Sequence, residues 1–421
     1  MIVGIDIGTS YSSICVLKPD GHAEPVYVST GVSIYGNEFS LPSAVFVNEN
    51  GNILVGQAAC ALRFKKPENF KNEFKRDFGQ DKPYQIGNRQ LLPHDLYREI
   101  FIHLKSCIEK LDSTKPIEKA WITHPASYNS GRKQLLVKAA NRAGIMNVEL
   151  MDEPTAASRS FIVENSSKIE EGQIILLYDF GGGTFDVALL KYESGDFVQV
   201  VNPMGVERCG GSDIDQLIFT DILNKVPVAF LNKLKENPIP LKRFKSNLME
   251  SAIRIKHQLT MVEECIEDIE IAFDFFSYSI NRQRFNQLIS PIIDETIVCV
   301  QSILRNSSYT PKEIHKTILV GGSSRIPLVR TRLEQLGLFQ INSTMNAELA
   351  IAAGAAYMGI LKVDEEKPKE VSDDVYENED DVDVITIDYK IAEEVKQPQL
   401  VVIPQHQNEP TKQIFNPDFF N

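Results

Sequence analysis

Residues 178–187 read Tyr178-Asp179-Phe180-Gly181-Gly182-Gly183-Thr184-Phe185-Asp186-Val187. The apolar run Ile174-Ile175-Leu176-Leu177 leads into them and Val187-Ala188-Leu189-Leu190 leads out. Short apolar runs broken by glycine predict two strands joined by a tight turn. Glycine lets a backbone approach an anion closely, so the turn's N–H groups are free to face a phosphate. The Thr184 hydroxyl adds a donor. Asp179 and Asp186 flank the turn, and carboxylates beside phosphate repel it unless a cation intervenes. The pattern therefore predicts Mg²⁺, held partly through water.

The same grammar occurs at the N-terminus, in Gly4-Ile5-Asp6-Ile7-Gly8-Thr9-Ser10-Tyr11-Ser12-Ser13. Asp6 ends an apolar run, a turn with hydroxyls follows, and Ile14-Cys15-Val16-Leu17 is the next strand. One such turn is an ordinary hairpin; two of the same form are a paired phosphate site. A second feature also recurs. Ala120-Trp121-Ile122-Thr123 runs into Pro125 and a helical pattern, and Thr317-Ile318-Leu319-Val320 runs into Gly321-Gly322-Ser323-Ser324 and another. The expected fold is α/β, in two halves of similar plan. Helical patterns also fill Leu92–Leu111, Lys133–Ala143 and Lys242–Thr260.

Composition bounds the rest. The 421 residues are 43% hydrophobic and 24% charged, which excludes a mainly disordered, collagen-like or small disulfide-stapled chain. The net charge of -13 argues against nucleic acid as a partner. That charge is uneven: from Lys362 onward there are 16 acids and 6 lysines. Residues 362–388 read as an acidic linker and 389–421 as a short disordered tail, with Val384-Ile385-Thr386-Ile387 a strand candidate. The six cysteines form no CxxC pair, which suits a reducing compartment and no zinc. No leader-like segment opens the chain, and the longest apolar run, Leu349–Leu361, is too short to span a bilayer. A cytoplasmic protein without membrane contact is expected.

Two further stretches carry chemistry. Gly321-Gly322-Ser323-Ser324-Arg325 opens a helix with small residues that suit a close nucleoside or phosphate. In Asp152-Glu153-Pro154-Thr155-Ala156-Ala157, Glu153 precedes a helix whose first residue is expected at Pro154. No GxxxxGK[ST], GxGxxG, GxSxG or HExxH motif occurs.

Taken in order, GIDIGTSYSS, DEPTAA, YDFGGGTFDV, CGGSDID and LVGGSSRIP closely resemble the ATPase domain of the seventy-kilodalton heat-shock chaperone family, the bacterial DnaK type. The resemblance covers residues 1–361 and implies an actin-like ATPase of two lobes around a nucleotide cleft. Lobe I would hold about 1–168 and 345–361, lobe II about 169–344. It also implies roles. Gly8, Thr9, Ser10 and Tyr11 match the first phosphate loop, and Gly181, Gly182, Gly183 and Thr184 the second. Lys75 matches the catalytic lysine. Asp6, Asp179 and Asp186 match carboxylates around Mg²⁺. Glu153 and Thr184 match groups that position the attacking water. Gly210, Gly211 and Asp213 match a loop beside the nucleotide. Lys256, Gly321, Gly322, Ser323 and Arg325 match the adenosine pocket, and Glu348 stands where the family has Asp.

There are departures. His257 stands where many members carry an adenine-stacking arginine, and Ile253 where they carry a glutamate. Glu149 replaces a surface arginine where J-domain co-chaperones dock, which makes ordinary J-domain docking doubtful. The segment between Gly79 and Leu92 is shorter than in the family. Pro125 and Lys133 match an interlobe switch proline and its arginine partner. The tail after residue 361 is too short and acidic to supply a peptide-binding domain. The resemblance implies a slow Mg-dependent ATPase with ATP or ADP bound, serving folding or regulation through co-chaperones or nucleotide-exchange factors. A nucleotide-sensing interaction protein with little turnover is the alternative, and a metabolite kinase on the same fold is a third reading. The sequence assigns no oligomeric state.

Overall fold

The computed structural model describes residues 1–29, 38–165, 169–228, 231, 238–271, 274–343 and 349–360. Contacts divide the chain into Met1–Leu361 and Lys362–Asn421. The second unit, including the strand expected at 384–387, lies outside the described residues, as does Glu348.

Two sheets organise the first unit. In the first, β1 (Ile2–Ile7), β2 (Tyr11–Leu17), β3 (Ala23–Pro25), β4 (Lys119–His124) and β5 (Val148–Asp152) lie in the order β5-β4-β1-β2-β3. In the second, β6 (Ile174–Phe180), β7 (Thr184–Glu193), β8 (Asp196–Gln199), β9 (Lys316–Val320) and β10 (Ile341–Ser343) lie in the order β10-β9-β6-β7-β8. The two orders match position by position. In each, the central strand pairs antiparallel with the next strand of its hairpin and parallel with a later crossover strand. Register places Asp6 opposite Ser13 and Asp179 opposite Asp186. All seven residues of β6 are buried, which is why it reads as an unbroken apolar run rather than an alternating one.

The described long helices are α1 (Pro93–Leu111), α2 (Ser130–Arg142), α3 (Glu153–Asn165), α4 (Gly211–Lys225), α5 (Pro238–Met261) and α6 (Arg282–Ser307), with the short α7 (Ala350–Tyr357) closing the unit. Asn129 caps α2 by accepting the Arg132 N–H at 3.0 Å. α7 packs between β1 and α3, and its Ala352, Ala355 and Ala356 are fully buried. α6 has the length and apolarity of a membrane span. Its Phe285, Ile289, Ile293 and Val300 stripe is buried, however, and the helix packs on β7 and α4, as a core helix does.

Local boundaries differ from the sequence reading in several places. β1 and β6 each continue one residue past their aspartate, because the antiparallel partner still pairs there. α3 starts at Glu153, with Pro154 second, where a missing N–H costs nothing. Gly322–Arg325 forms a 3-10 turn before the helix Pro327–Gln335. The shortened 79–92 segment carries a small hairpin, Tyr84–Ile86 with Arg89–Leu91.

Candidate functional site

The two glycine turns are built alike. Gly8 N–H donates to the Tyr11 carbonyl at 2.9 Å, and Gly181 N–H to the Thr184 carbonyl at 3.2 Å. They also face each other across the lobes. A Cβ on Gly182 would lie 2.2 Å from Ser10 Oγ, and one on Gly183 2.4 Å from Thr9 Oγ1. Glycine is required there by proximity. Each turn is braced from behind. Ser43 Oγ donates to the Gly8 carbonyl at 2.7 Å. Gly211 N–H and Ser323 Oγ donate to the Gly181 carbonyl at 3.0 and 2.8 Å, and Ser212 N–H to the Gly182 carbonyl at 2.8 Å.

Between the turns lies a cavity of about 310 Å³. Its inner end is lined by Asp6, Gly8, Thr9, Ser10, Tyr11, Lys75, Glu153, Asp179, Gly181, Gly182 and Thr184. Its outer end is lined by Lys256, His257, Gly321, Gly322, Ser323 and Arg325. Five expected residues do not line it. Gly183 packs on Thr9, and Gly210 and Gly211 stand behind the second turn. Asp186 is buried beside Gly205, across the sheet register from Asp179. Asp213 caps α4, accepting the Gly210 N–H at 2.9 Å, and pairs with Arg76 at 2.6 Å.

Electrostatics concentrate at the inner end. Lys75 donates to Glu153 Oε1 at 2.7 Å, with both side chains buried. Burial opposes the Lys75 ammonium, but Glu153 and Asp6 outweigh it and hold its pKa above the usual lysine value. Burial pushes Asp6 up to about 6; Lys75 and the Thr123 hydroxyl, which donates to it at 2.7 Å, pull the other way. Burial, then repulsion from Glu153, pushes Asp186 up to about 8. Asp179 is raised well above the carboxylate range by burial and by Glu153, Asp186 and Asp6. Four buried carboxylates thus face one ammonium, a donor set that suits a hard cation. Among the described residues no three His, Cys, Asp or Glu side chains form a group that could hold a metal ion directly. The interlocking glycine cradles fit the phosphates such a cation accompanies.

At the outer wall, partial burial pushes His257 down to about 4, and the nearby cations of Lys256 and Arg325 add to this. Lys256 itself bonds Asp215 at 2.7 Å and the Gly211 carbonyl at 3.1 Å. Several contributors escaped the sequence reading. Thr260 and Met261 line the wall one helical turn beyond Lys256 and His257, so the i+4 spacing could have found them. Thr123, Ser43, Ile326 and Ile351 had no comparable signal.

The profile of the family described as Hsp70 protein matches residues 83–378. This chain belongs to the Hsp70 family. The chaperone protein DnaK of Thermotoga petrophila is 30% identical to it over 369 residues, covering 86% of this chain and 59% of the relative. DnaK of Picrophilus torridus is 30% identical over 377 residues, covering 87% and 59%. DnaK of Nitrosopumilus maritimus is 30% identical over 371 residues, covering 86% and 56%. The chain spans less than three-fifths of the length of these relatives. Hsp70 membership establishes the actin-like two-lobed fold and a chaperone-type nucleotide-binding domain. Hsp70 proteins are ATPases that bind ATP or ADP with magnesium, and DnaK-type members work with co-chaperones and nucleotide-exchange factors.

Proposed function

We propose that this chain binds ATP with Mg²⁺ between its glycine turns, hydrolyses it slowly and acts as a nucleotide-driven conformational switch. One observation carries the reading: the buried Lys75–Glu153 pair sits at the inner end of a cavity walled by two phosphate-type turns. In this reading the turn N–H groups and the Thr9, Ser10 and Thr184 hydroxyls hold the β- and γ-phosphates. Glu153 and Thr184 orient the attacking water. The Lys75 ammonium offsets charge growing on the γ-phosphate. Asp6, Asp179 and Asp186 would hold Mg²⁺, which neutralises phosphate charge when bound. Lys256, His257, Ser323 and Arg325 wall the adenosine. Glu153 Oε1 is already engaged by Lys75, which weakens it as a base toward water; this supports slow turnover.

Glu149 is half-exposed and pairs with Lys119 at 3.5 Å, so an acid stands on that surface. Ordinary J-domains are expected to stimulate the chain weakly, and strong stimulation by one would contradict this. The test of the site is equilibrium titration with a fluorescent ATP analogue. Binding that is competed by ATP and weakened by a chelator supports the reading; no binding under any condition defeats it.

A further inference from the structure

Lys75 stands on a one-turn 3-10 helix, Phe74–Asp77. Phe74 and the following Phe78 are anchored in the core of the first lobe. The charged side chains of the same turn reach the other way. Arg76 donates to Asp213 Oδ1 at 2.6 Å, and Asp77 Oδ1 accepts from Arg208 at 2.6 Å. Both partners belong to the second lobe. Arg208 follows the strand Met204–Glu207, which pairs with β7, and Asp213 lies in the first turn of α4. Asp213 is divided between two tasks, its second oxygen accepting the Gly210 N–H at 2.9 Å. One carboxylate therefore joins the lysine's turn to the loop that backs the second glycine turn. Arg76 is 11% exposed and Asp213 25%, so salt and water screen this pair less than an open surface pair.

None of these four residues lines the cavity. Resting on the function proposed above, we propose that Arg76, Asp77, Asp213 and Arg208 are positioning residues that seat Lys75 only while the two lobes are closed. Opening the lobes parts both ion pairs and frees the turn; closing them resets it. Hydrolysis then depends on closure, whereas binding by the glycine turns does not.

The test uses the full chain with Arg76→Gln, Asp213→Asn and the double variant. The amide oxygen introduced by Asp213→Asn still accepts the Gly210 N–H, so the substitution isolates the ion pair from the cap. Each single variant is expected to slow single-turnover hydrolysis about tenfold, with ATP affinity within about twofold of wild type. The double variant is expected to be no slower than either single one, because both remove the same contact. Amide hydrogen exchange at Lys75–Phe78 is expected to accelerate about tenfold in all three, whether or not ATP is turned over. Additive losses, affinity falling in step with rate, or unchanged exchange would each overturn the clamp. A wild type that binds ATP without hydrolysing it would defeat the ATPase reading alone, and the exchange measurement would still decide the clamp.

Discussion

At the scale of single residues, the site sets buried acids against one ammonium. Asp6 and Asp186 are pushed from 3.8 to about 6 and about 8, with burial the main cause. Between 3.8 and those values the folded protein holds protons that the unfolded chain has released. Folding stability therefore falls as pH rises through that window. Without nucleotide or metal, the melting temperature should decline from about pH 5 to about pH 8, and Asp186→Asn should flatten the upper half of the decline while raising Tm at about pH 8. A Tm that climbs over this range would contradict the assignment. Glu153→Ala removes the acceptor of the buried Lys75 hydrogen bond while Asp6 still opposes the ammonium charge, and should cost about 1–3 kcal/mol, read by denaturant unfolding. Glu153→Gln keeps an acceptor and should cost less. Asp6, Asp179, Glu153 and Lys75 all line the cavity; the two aspartates stand out in their own glycine turns, whereas Glu153 and Lys75 were given their roles only through the family resemblance. Thr123 and Ser43 were not legible. Each reaches its partner across sheet pairings, 117 residues from Asp6 and 35 from Gly8, and sequence spacing holds no trace of that.

At the scale of elements, tight backbone approach explains both what was read and what was missed. The apolar runs at Ile2–Ile7 and Ile174–Phe180 announced central strands, and the two hairpins announced a duplicated plan. The start of α3 was misplaced by one residue, because Pro154 is tolerated at either the first or second helical position. The packing of α7 could not be foreseen from composition alone. A Cβ on Gly354 would lie 1.7 Å from the Ala156 carbonyl oxygen, so α7 and α3 touch backbone to backbone. Gly354→Ala should destabilise by about 3 kcal/mol or more in denaturant unfolding. Gly322 has open space where a methyl would be added, with nothing within 4 Å, and no left-handed φ. Gly322→Ala should leave stability within about 0.5 kcal/mol. Equal losses at both positions would mean that α7 does not pack as described.

At the scale of the molecule, five ion pairs among the described residues join residues 1–168 to residues 169–344, the two lobes that the resemblance implies. Arg76–Asp213 and Arg208–Asp77 are joined by Arg132–Glu207, Arg63–Glu250 and Arg159–Asp196. Raising salt from about 0.1 M to about 1 M shortens the screening length from about 10 Å to about 3 Å. Single-turnover hydrolysis, followed by quench-flow, should slow over that range. A hydrolysis rate indifferent to salt would show that these pairs do not hold the cleft shut. The proposed function stands or falls on whether this cleft is a working ATPase with Lys75 at the reacting phosphate. Single-turnover hydrolysis of ATP with Mg²⁺, wild type beside Lys75→Met, puts that to the test. Slow hydrolysis by wild type and none by Lys75→Met is expected, with nucleotide still bound by both. Hydrolysis that survives the substitution, or nucleotide bound by both proteins and hydrolysed by neither, would overturn it.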